Sequence, residues 1–149
     1  MDRLEFFNKC LETDYKQFED IDWNDDRLYK ETPMSLGFLN EFANELNWSL
    51  VAKYVYIPQS KVMKFKNFMD WDLYIKYKAV FTDTLIEIVS KVDNIDWDSL
   101  SRYSFITTHF AKLYYNKLNL EELKQNTNID NDVIILVQHL LLQERDKNN

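Results

Sequence analysis

The chain has 149 residues, a formal net charge of −7 and a hydrophobic content of 46%, a composition that suits one globular domain and excludes a disordered segment. With one glycine and two prolines, it is not expected to form a β-sandwich, a β-barrel or a glycine-rich phosphate loop; we expect helices joined by short links. A chain with this much negative charge repels the phosphate backbone of nucleic acids, so we expect no direct binding of nucleic acid. A protein partner with a basic surface is favoured instead.

The first ten residues, MDRLEFFNKC, lack the apolar core of a secretory signal, and no stretch of the sequence is apolar enough for a membrane span. The single cysteine, Cys10, can form no internal disulfide, which suits a reducing compartment. We therefore expect a cytoplasmic protein with no membrane contact.

The N-terminal segment, residues 1–21, is predicted to form one long helix. Its apolar residues recur at helical spacing: Leu4, Phe7, Leu11 and Phe18. Because this segment precedes a series of similar phrases, it is expected to cap them.

From residue 22 onward the chain repeats one phrase every 23 to 26 residues, and DWDSLSRY at 96–103 is its clearest copy. Tryptophan starts four copies and leucine the fifth: Trp23, Trp48, Trp71, Trp97 and Leu120. The preceding residue is always Asp or Asn, the side chains that best cap a helix: Asp22, Asn47, Asp70, Asp96 and Asn119. Each copy is therefore predicted to begin with an N-cap and a helix whose first residue is the tryptophan.

Two further columns follow each tryptophan, three and six residues later, and such positions share one face of a helix. The first column is apolar except in the first copy: Asp26, Val51, Tyr74, Leu100 and Leu123. The second is tyrosine except in the last copy: Tyr29, Tyr54, Tyr77, Tyr103 and Asn126. We expect the tryptophan and tyrosine columns to form the core between copies.

After a link, each copy carries a second apolar pattern with steps of three and four, which indicates a helix of about a dozen residues. In the fourth copy the pattern comprises Ile106, Phe110, Leu113, Tyr114 and Leu118. The predicted caps of the second helices are Thr32, Thr82, Thr107 and Asp130, while Pro58 leaves the start in the second copy open.

One copy is thus a short helix, a turn and a longer helix, and such a hairpin cannot bury its apolar stripe alone. The predicted fold is an all-α solenoid of about five such repeats with the N-terminal helix as a cap. The repeats lie near residues 22–46, 47–69, 70–95, 96–118 and 119–142, within a single domain over residues 1–149. The polar tail, residues 143–149, is expected to fray.

The pattern Asp/Asn-Trp-x-x-Leu/Ile-Ser-x-Tyr, followed by Leu/Ile-Ser/Thr-x-x-Phe and a second helix, resembles short tandem repeats of bacteriophages and large DNA viruses. DWDSLSRYSFITTHFAKLYYNKLN is the closest copy, and the resemblance covers roughly residues 20–142. It implies a helical-repeat protein of phage or viral type, in the cytoplasm of a host cell. It implies no reaction and no shared ligand.

Few residues in the sequence offer chemistry. His109 and His139 lack further ligands at a metal-binding spacing, and the acidic run EDIDWNDD lacks the glycine turn of a calcium loop. Glu121 and Glu122 have no identifiable acid/base partner, and Cys10 lies beside phenylalanines as packing cysteines do. We therefore expect no enzyme, no cofactor and no metal.

Two hypotheses of function follow. The first is a non-enzymatic interaction protein, in specific form an acidic inhibitor of a host defence nuclease, similar to anti-CRISPR proteins. Its partner-binding residues are expected among the acids at the starts of first helices: Asp20, Asp22, Asp25, Asp26, Asp93, Asp96 and Asp98. The second is a self-associating structural or virion-associated scaffold, which would form a homo-oligomer.

Overall fold

The computed structural model describes residues 2–148, and every regular element in this range is helical. The α-helices are α1 (Arg3–Leu11), α2 (Asp26–Glu31), α3 (Leu36–Glu41), α4 (Trp48–Tyr54), α5 (Trp71–Tyr77), α6 (Thr82–Lys91), α7 (Trp97–Tyr103), α8 (Thr108–Tyr114), α9 (Leu120–Leu123) and α10 (Asn131–Lys147). Two 3-10 helices span Phe18–Asp20 and Gln59–Phe65. The prediction of an all-α fold is confirmed.

The chain forms two compact units, one up to Asp70 and one from Trp71. In the first unit, α1 and α4 both pack against α2. In the second unit, α7 packs against α5 and α9, while α8 packs against α6 and α10. The first helices of successive copies therefore lie side by side in the second unit, and so do the second helices.

The cap column behaves as predicted in the second, fourth and fifth copies, where Asn47, Asp96 and Asn119 cap their helices through the side chain. Helices α4, α5 and α7 begin at their tryptophans, and α9 begins at Leu120. The Asp96 carboxylate, for example, accepts hydrogen bonds from the backbone N–H groups of Asp98 and Ser99 at 3.1 Å each. Because these donors have no partner within the helix, the cap fixes where each first helix starts.

In the first copy the predicted cap is wrong. Helix α2 begins at Asp26 and its cap is Asp25, whose carboxylate accepts the N–H of Arg27. Asp22 instead accepts the N–H of Asn24 at 3.0 Å and forms a turn ahead of the helix. The segment DWNDD offers several carboxylates in a row, and the one nearest the helix is the cap.

The starts of the second helices agree with the predictions in part. Thr107 caps α8, and Asp130 is the residue before α10. Thr82 is the first residue of α6 and not its cap. The prediction for Thr32 is wrong, because this residue ends α2 and is buried, and Ser35 caps α3 through the N–H of Phe38.

Both ends of the chain differ from the expectations. The single helix predicted over residues 1–21 is wrong, because α1 ends at Leu11 where Glu12 adopts a left-handed conformation with φ of 54°. The Asn8 side chain then holds the turn, since its oxygen accepts the N–H of Tyr15 at 2.9 Å. At the other end α10 continues to Lys147, so the last helix includes residues 143–147 and does not end before the polar tail.

The core uses the apolar column as predicted, since Val51, Tyr74, Leu100 and Leu123 are all buried. The tryptophans of three copies contact an aromatic ring of their own second helix at nearly the same centroid distance. These pairs are Trp23–Phe42 at 5.5 Å, Trp48–Phe65 at 5.4 Å and Trp97–Tyr114 at 5.6 Å. The tryptophan column thus joins the two helices of one copy.

The prediction that the tyrosine column is core is wrong for three copies. Tyr54, Tyr77 and Tyr103 are exposed, and each is the last residue of its first helix. Only Tyr29 is buried, and its hydroxyl accepts the N–H of Asn47 at 2.8 Å and donates to the carbonyl of Trp23 at 2.7 Å.

Burial of Tyr74 predicts a loss of stability at alkaline pH. Burial raises the pKa of Tyr74 from 10.0 to about 12, so the fold favours its neutral form. This contribution is fully present below about pH 10, where the tyrosine of the unfolded chain is neutral, and it is lost as the pH rises towards 12. We expect Tyr74→Phe to flatten the decline when unfolding by urea is measured at about pH 8 and about pH 11. Tyr77→Phe, at an exposed position, should leave the decline in place, and equal behaviour of the two variants would contradict the assignment.

Candidate functional site

The acids at the starts of first helices in the second unit take part in contacts between copies. The Asp72 carboxylate accepts the backbone N–H of Asp96 at 3.0 Å. The Asp98 carboxylate accepts the side-chain N–H of Asn119 at 2.9 Å. In each case the residue directly after one tryptophan binds the cap residue of the next copy.

The same contact occurs in the first unit. The side chain of Asn47 donates to the Asn24 side chain at 3.0 Å, and the Ser49 hydroxyl donates to the Asp70 carboxylate at 2.9 Å. Four successive pairs of copies therefore share one hydrogen bond, which we call the polar ladder: Asn24–Asn47, Ser49–Asp70, Asp72–Asp96 and Asp98–Asn119. Of the residues that directly follow the tryptophans, only Asp98 was singled out from the sequence, although Asn, Ser, Asp and Asp form a polar column there.

Hydrogen bonds link three acidic residues of the second unit, which we call the acidic edge: Asp72, Asp96 and Asp98. The ladder holds the carboxylates of Asp72 and Asp98, and the helix cap holds that of Asp96. Each accepts its hydrogen bonds through Oδ1, and within residues 2–148 no ion pair holds any of the three. Asp96 and Asp98 were predicted binding residues, and Asp72 is the member that sequence reasoning missed. Asp93 is exposed in the link before α7 and has no contact that ties it to the acidic edge.

The predicted acids of the first unit are differently placed. Asp25 forms a hydrogen-bonded ion pair with Arg27 at 2.6 Å, which holds the pKa of the Asp25 carboxyl below its ordinary value. Asp26 is paired with Lys30 at 2.8 Å. Asp20 and Asp22 are exposed and accept local backbone N–H groups. Much of the negative charge predicted here is therefore neutralised by adjacent cations.

The opposite ends of the first helices carry cations against exposed tyrosine rings. Lys30 lies 4.7 Å from the ring centroid of Tyr54, and Lys76 lies 4.7 Å from that of Tyr103. In both pairs the cation belongs to one copy and the ring to the next copy. The Lys30–Tyr54 pair lies in the first unit and the Lys76–Tyr103 pair in the second. These cation–π contacts give the exposed rings of Tyr54 and Tyr103 a favourable contact with the neighbouring copy.

A groove lies at the links in each unit. In the first unit a groove of about 340 Å³ is lined by Thr32, Met34, Tyr54 and Tyr56 among others. In the second unit a groove of about 440 Å³ is lined by Phe105, Thr107, Asn128 and Asp130 among others. Thr32 and Ser104, which follow the ends of α2 and α7, are buried and their hydroxyls have no hydrogen-bond partner in the described part of the chain.

The residues considered for metal binding stay apart from any cluster. His109 and His139 are both exposed, and among residues 2–148 no group of three His, Cys, Asp or Glu is placed to hold a metal ion. None of the helices in this range is long and apolar enough to cross a membrane.

Over residues 2–148 the protein is thus all-helical, and α5 and α7 carry carboxylates at their starts and tyrosine rings in contact with Lys76 at their ends. Comparison with family models, with curated proteins and with solved structures gives no match for this chain.

Proposed function

We propose that this protein acts without catalysis, by binding another protein whose surface is basic, and that the acidic edge is the contact surface. The observation that carries the proposal is that these three carboxylates are held in place, Asp72 and Asp98 by the polar ladder and Asp96 by its cap hydrogen bonds, while no ion pair within residues 2–148 neutralises them. Carboxylates that are already fixed lose little conformational freedom on binding, so their charge contributes more to affinity.

The class of partner follows from the charge. A set of fixed carboxylates on a chain of net charge −7 is attracted to a surface rich in lysine and arginine. Proteins that bind nucleic acid have such surfaces, and a host defence nuclease is the specific target we propose. The chain would then be an inhibitor of phage or viral type, comparable in action to anti-CRISPR proteins.

The test neutralises the acidic edge without removing its hydrogen bonds. The substitutions Asp72→Asn, Asp96→Asn and Asp98→Asn keep an oxygen that can accept each ladder or cap hydrogen bond but remove three charges. We expect this triple variant to bind a purified CRISPR effector nuclease at least about tenfold more weakly than the unaltered chain at low salt, measured by biolayer interferometry. The difference should shrink at high salt, where charges are screened.

A matched control removes three charges elsewhere in the second unit, through Asp83→Asn, Glu144→Gln and Asp146→Asn, all at exposed positions. This control should retain most of the affinity. Equal affinities of the two triple variants would remove the acidic edge from the proposal, and no binding of the unaltered chain would reject the nuclease target.

A further inference from the structure

The outer face of α10 is far more apolar than its burial in this chain requires. Residues 133–142, VIILVQHLLL, contain no charged residue although 29% of the chain is charged. Eight of these ten residues are aliphatic, yet only Val133 and Val137 are buried. Ile135 and Leu142 are 54% and 56% exposed. Ile135 and Leu142 are seven positions apart and so lie on one face of α10, and an apolar face without charges is a candidate surface for a protein contact.

The shape of this face is a ridge between two shallow grooves. On the α8 side, a groove of about 430 Å³ is lined by Lys112 of α8 and by Asp132, Ile135 and His139 of α10. On the α9 side, a groove of about 370 Å³ is lined by Leu120 of α9 and by Leu141 and Leu142 of α10. Helices pack by placing the ridge of one into the groove of another. A face that carries both a ridge and grooves fits a second copy of itself.

The charges on the α8 side have the same self-complementary character. Lys112 and Asp132 both line that groove and are exposed, and within the described residues neither forms an ion pair or a side-chain hydrogen bond. In a two-fold symmetric pair, a contact between residue i and residue j occurs twice, with the subunits exchanged. Lys112 of each copy can therefore lie opposite Asp132 of the other.

We propose that the outer face of α10 is the interface of a symmetric pair of copies of this chain. The exposed side chains of Ile135 and Leu142 from one copy pack against this face of the other copy, with Lys112 in the groove between α8 and α10 opposite Asp132 of the partner copy. This interface is separate from the acidic edge, and it gives the hypothesis of a self-associating protein a defined surface.

The first test measures mass against concentration by sedimentation equilibrium, from about 1 μM to about 1 mM, on the full chain. We expect a shift from monomer to dimer that persists at high salt, because the apolar contact is not screened. The double variant Ile135→Glu and Leu142→Glu should raise the dissociation constant at least about a hundredfold, since it places four carboxylates in the pair. The control Tyr56→Glu and Phe105→Glu adds the same charge at exposed aromatic positions outside α10 and should dimerise normally.

The second test exchanges the two charges. Lys112→Asp and Asp132→Lys should each weaken the dimer, and the two substitutions together should restore it, because the opposite charges again face each other. A monomer over the whole concentration range, or a double exchange that fails to restore the pair, would overturn the proposal. The triple variant of the acidic edge should dimerise as the unaltered chain does, so a failure of this interface and a failure of the proposed function give different results.

Discussion

Replacing Phe110 with alanine should lower the free energy of unfolding of the second unit by about 3–5 kcal/mol. Phe110 is fully buried, and its ring lies 4.8 Å from that of Tyr114 and 6.3 Å from that of Trp97. Removal of the ring would leave a cavity between α7 and α8 whose walls are held by two helices and cannot easily collapse. Urea unfolding followed by tryptophan fluorescence would measure the loss.

The neighbouring substitution His109→Ala is the matched control, because His109 is exposed on the same helix. It should change the free energy of unfolding by less than about 0.5 kcal/mol. A loss for Phe110→Ala no larger than that of the control would show that the Phe110 ring is not buried against Trp97 and Tyr114 as described.

Replacing Asn126 with aspartate should be nearly as destabilising, with a loss of about 3 kcal/mol or more at neutral pH. The buried Asn126 amide donates to the carbonyls of Ser101 and Ser104 at 2.8 Å each, and its oxygen accepts the N–H of Asn128 at 2.7 Å. A carboxylate cannot donate, and it would face two carbonyl oxygens across a distance where charges repel.

The loss should also depend on pH in a defined direction. Repulsion by the carbonyls raises the pKa of the introduced carboxyl in the fold, so the variant should regain stability as the pH falls and lose it as the pH rises. Thermal unfolding at about pH 4 and about pH 7 would measure this difference. Asn131→Asp, at an exposed position, should show no such dependence, and a variant of Asn126 that is pH-independent would contradict the buried geometry.

The helix starts could be predicted because capping is local chemistry. Asn47, Asp96 and Asn119 each bind N–H groups two or three residues away, so the sequence alone contains both partners. The first copy could not be resolved in this way, because Asp22 and Asp25 compete for the same role within four residues.

The burial of the tyrosines could not be predicted, because it depends on where each first helix ends. Tyr29 and Tyr103 occupy the same column, yet Tyr29 is buried and Tyr103 is exposed. In the fourth copy Ser101 performs the role that Tyr29 has in the first, since its hydroxyl accepts the N–H of Asn119 and donates to the carbonyl of Trp97. A tyrosine in the first copy and a serine at a different position in the fourth copy therefore bridge the same two backbone groups. No single column of the repeat pattern shows this equivalence.

Only part of the acidic edge could be predicted from the sequence, again because some of its contacts are local and others join distant residues. Asp96 and Asp98 were found because acidic residues at helix starts are visible in the sequence. Asp25 pairs with Arg27 and Asp26 pairs with Lys30, both within four residues, so these pairs are also local in the sequence. They neutralise negative charge, which a prediction based on the acidic residues alone does not take into account. Asp72 was missed because its role depends on a residue 24 positions away.

The polar ladder also constrains how a gene for such a chain can change in length. Each rung joins a residue of one copy to the cap of the next, 21 to 24 positions along the chain. Duplication or deletion of one complete copy would leave each remaining rung residue opposite the Asp or Asn cap of the copy that follows it. An insertion of one or two residues inside a first helix would instead rotate the rung residue away from its partner. Lineages of this protein should therefore vary in length by whole copies, as genes do when they evolve by unequal recombination between similar segments.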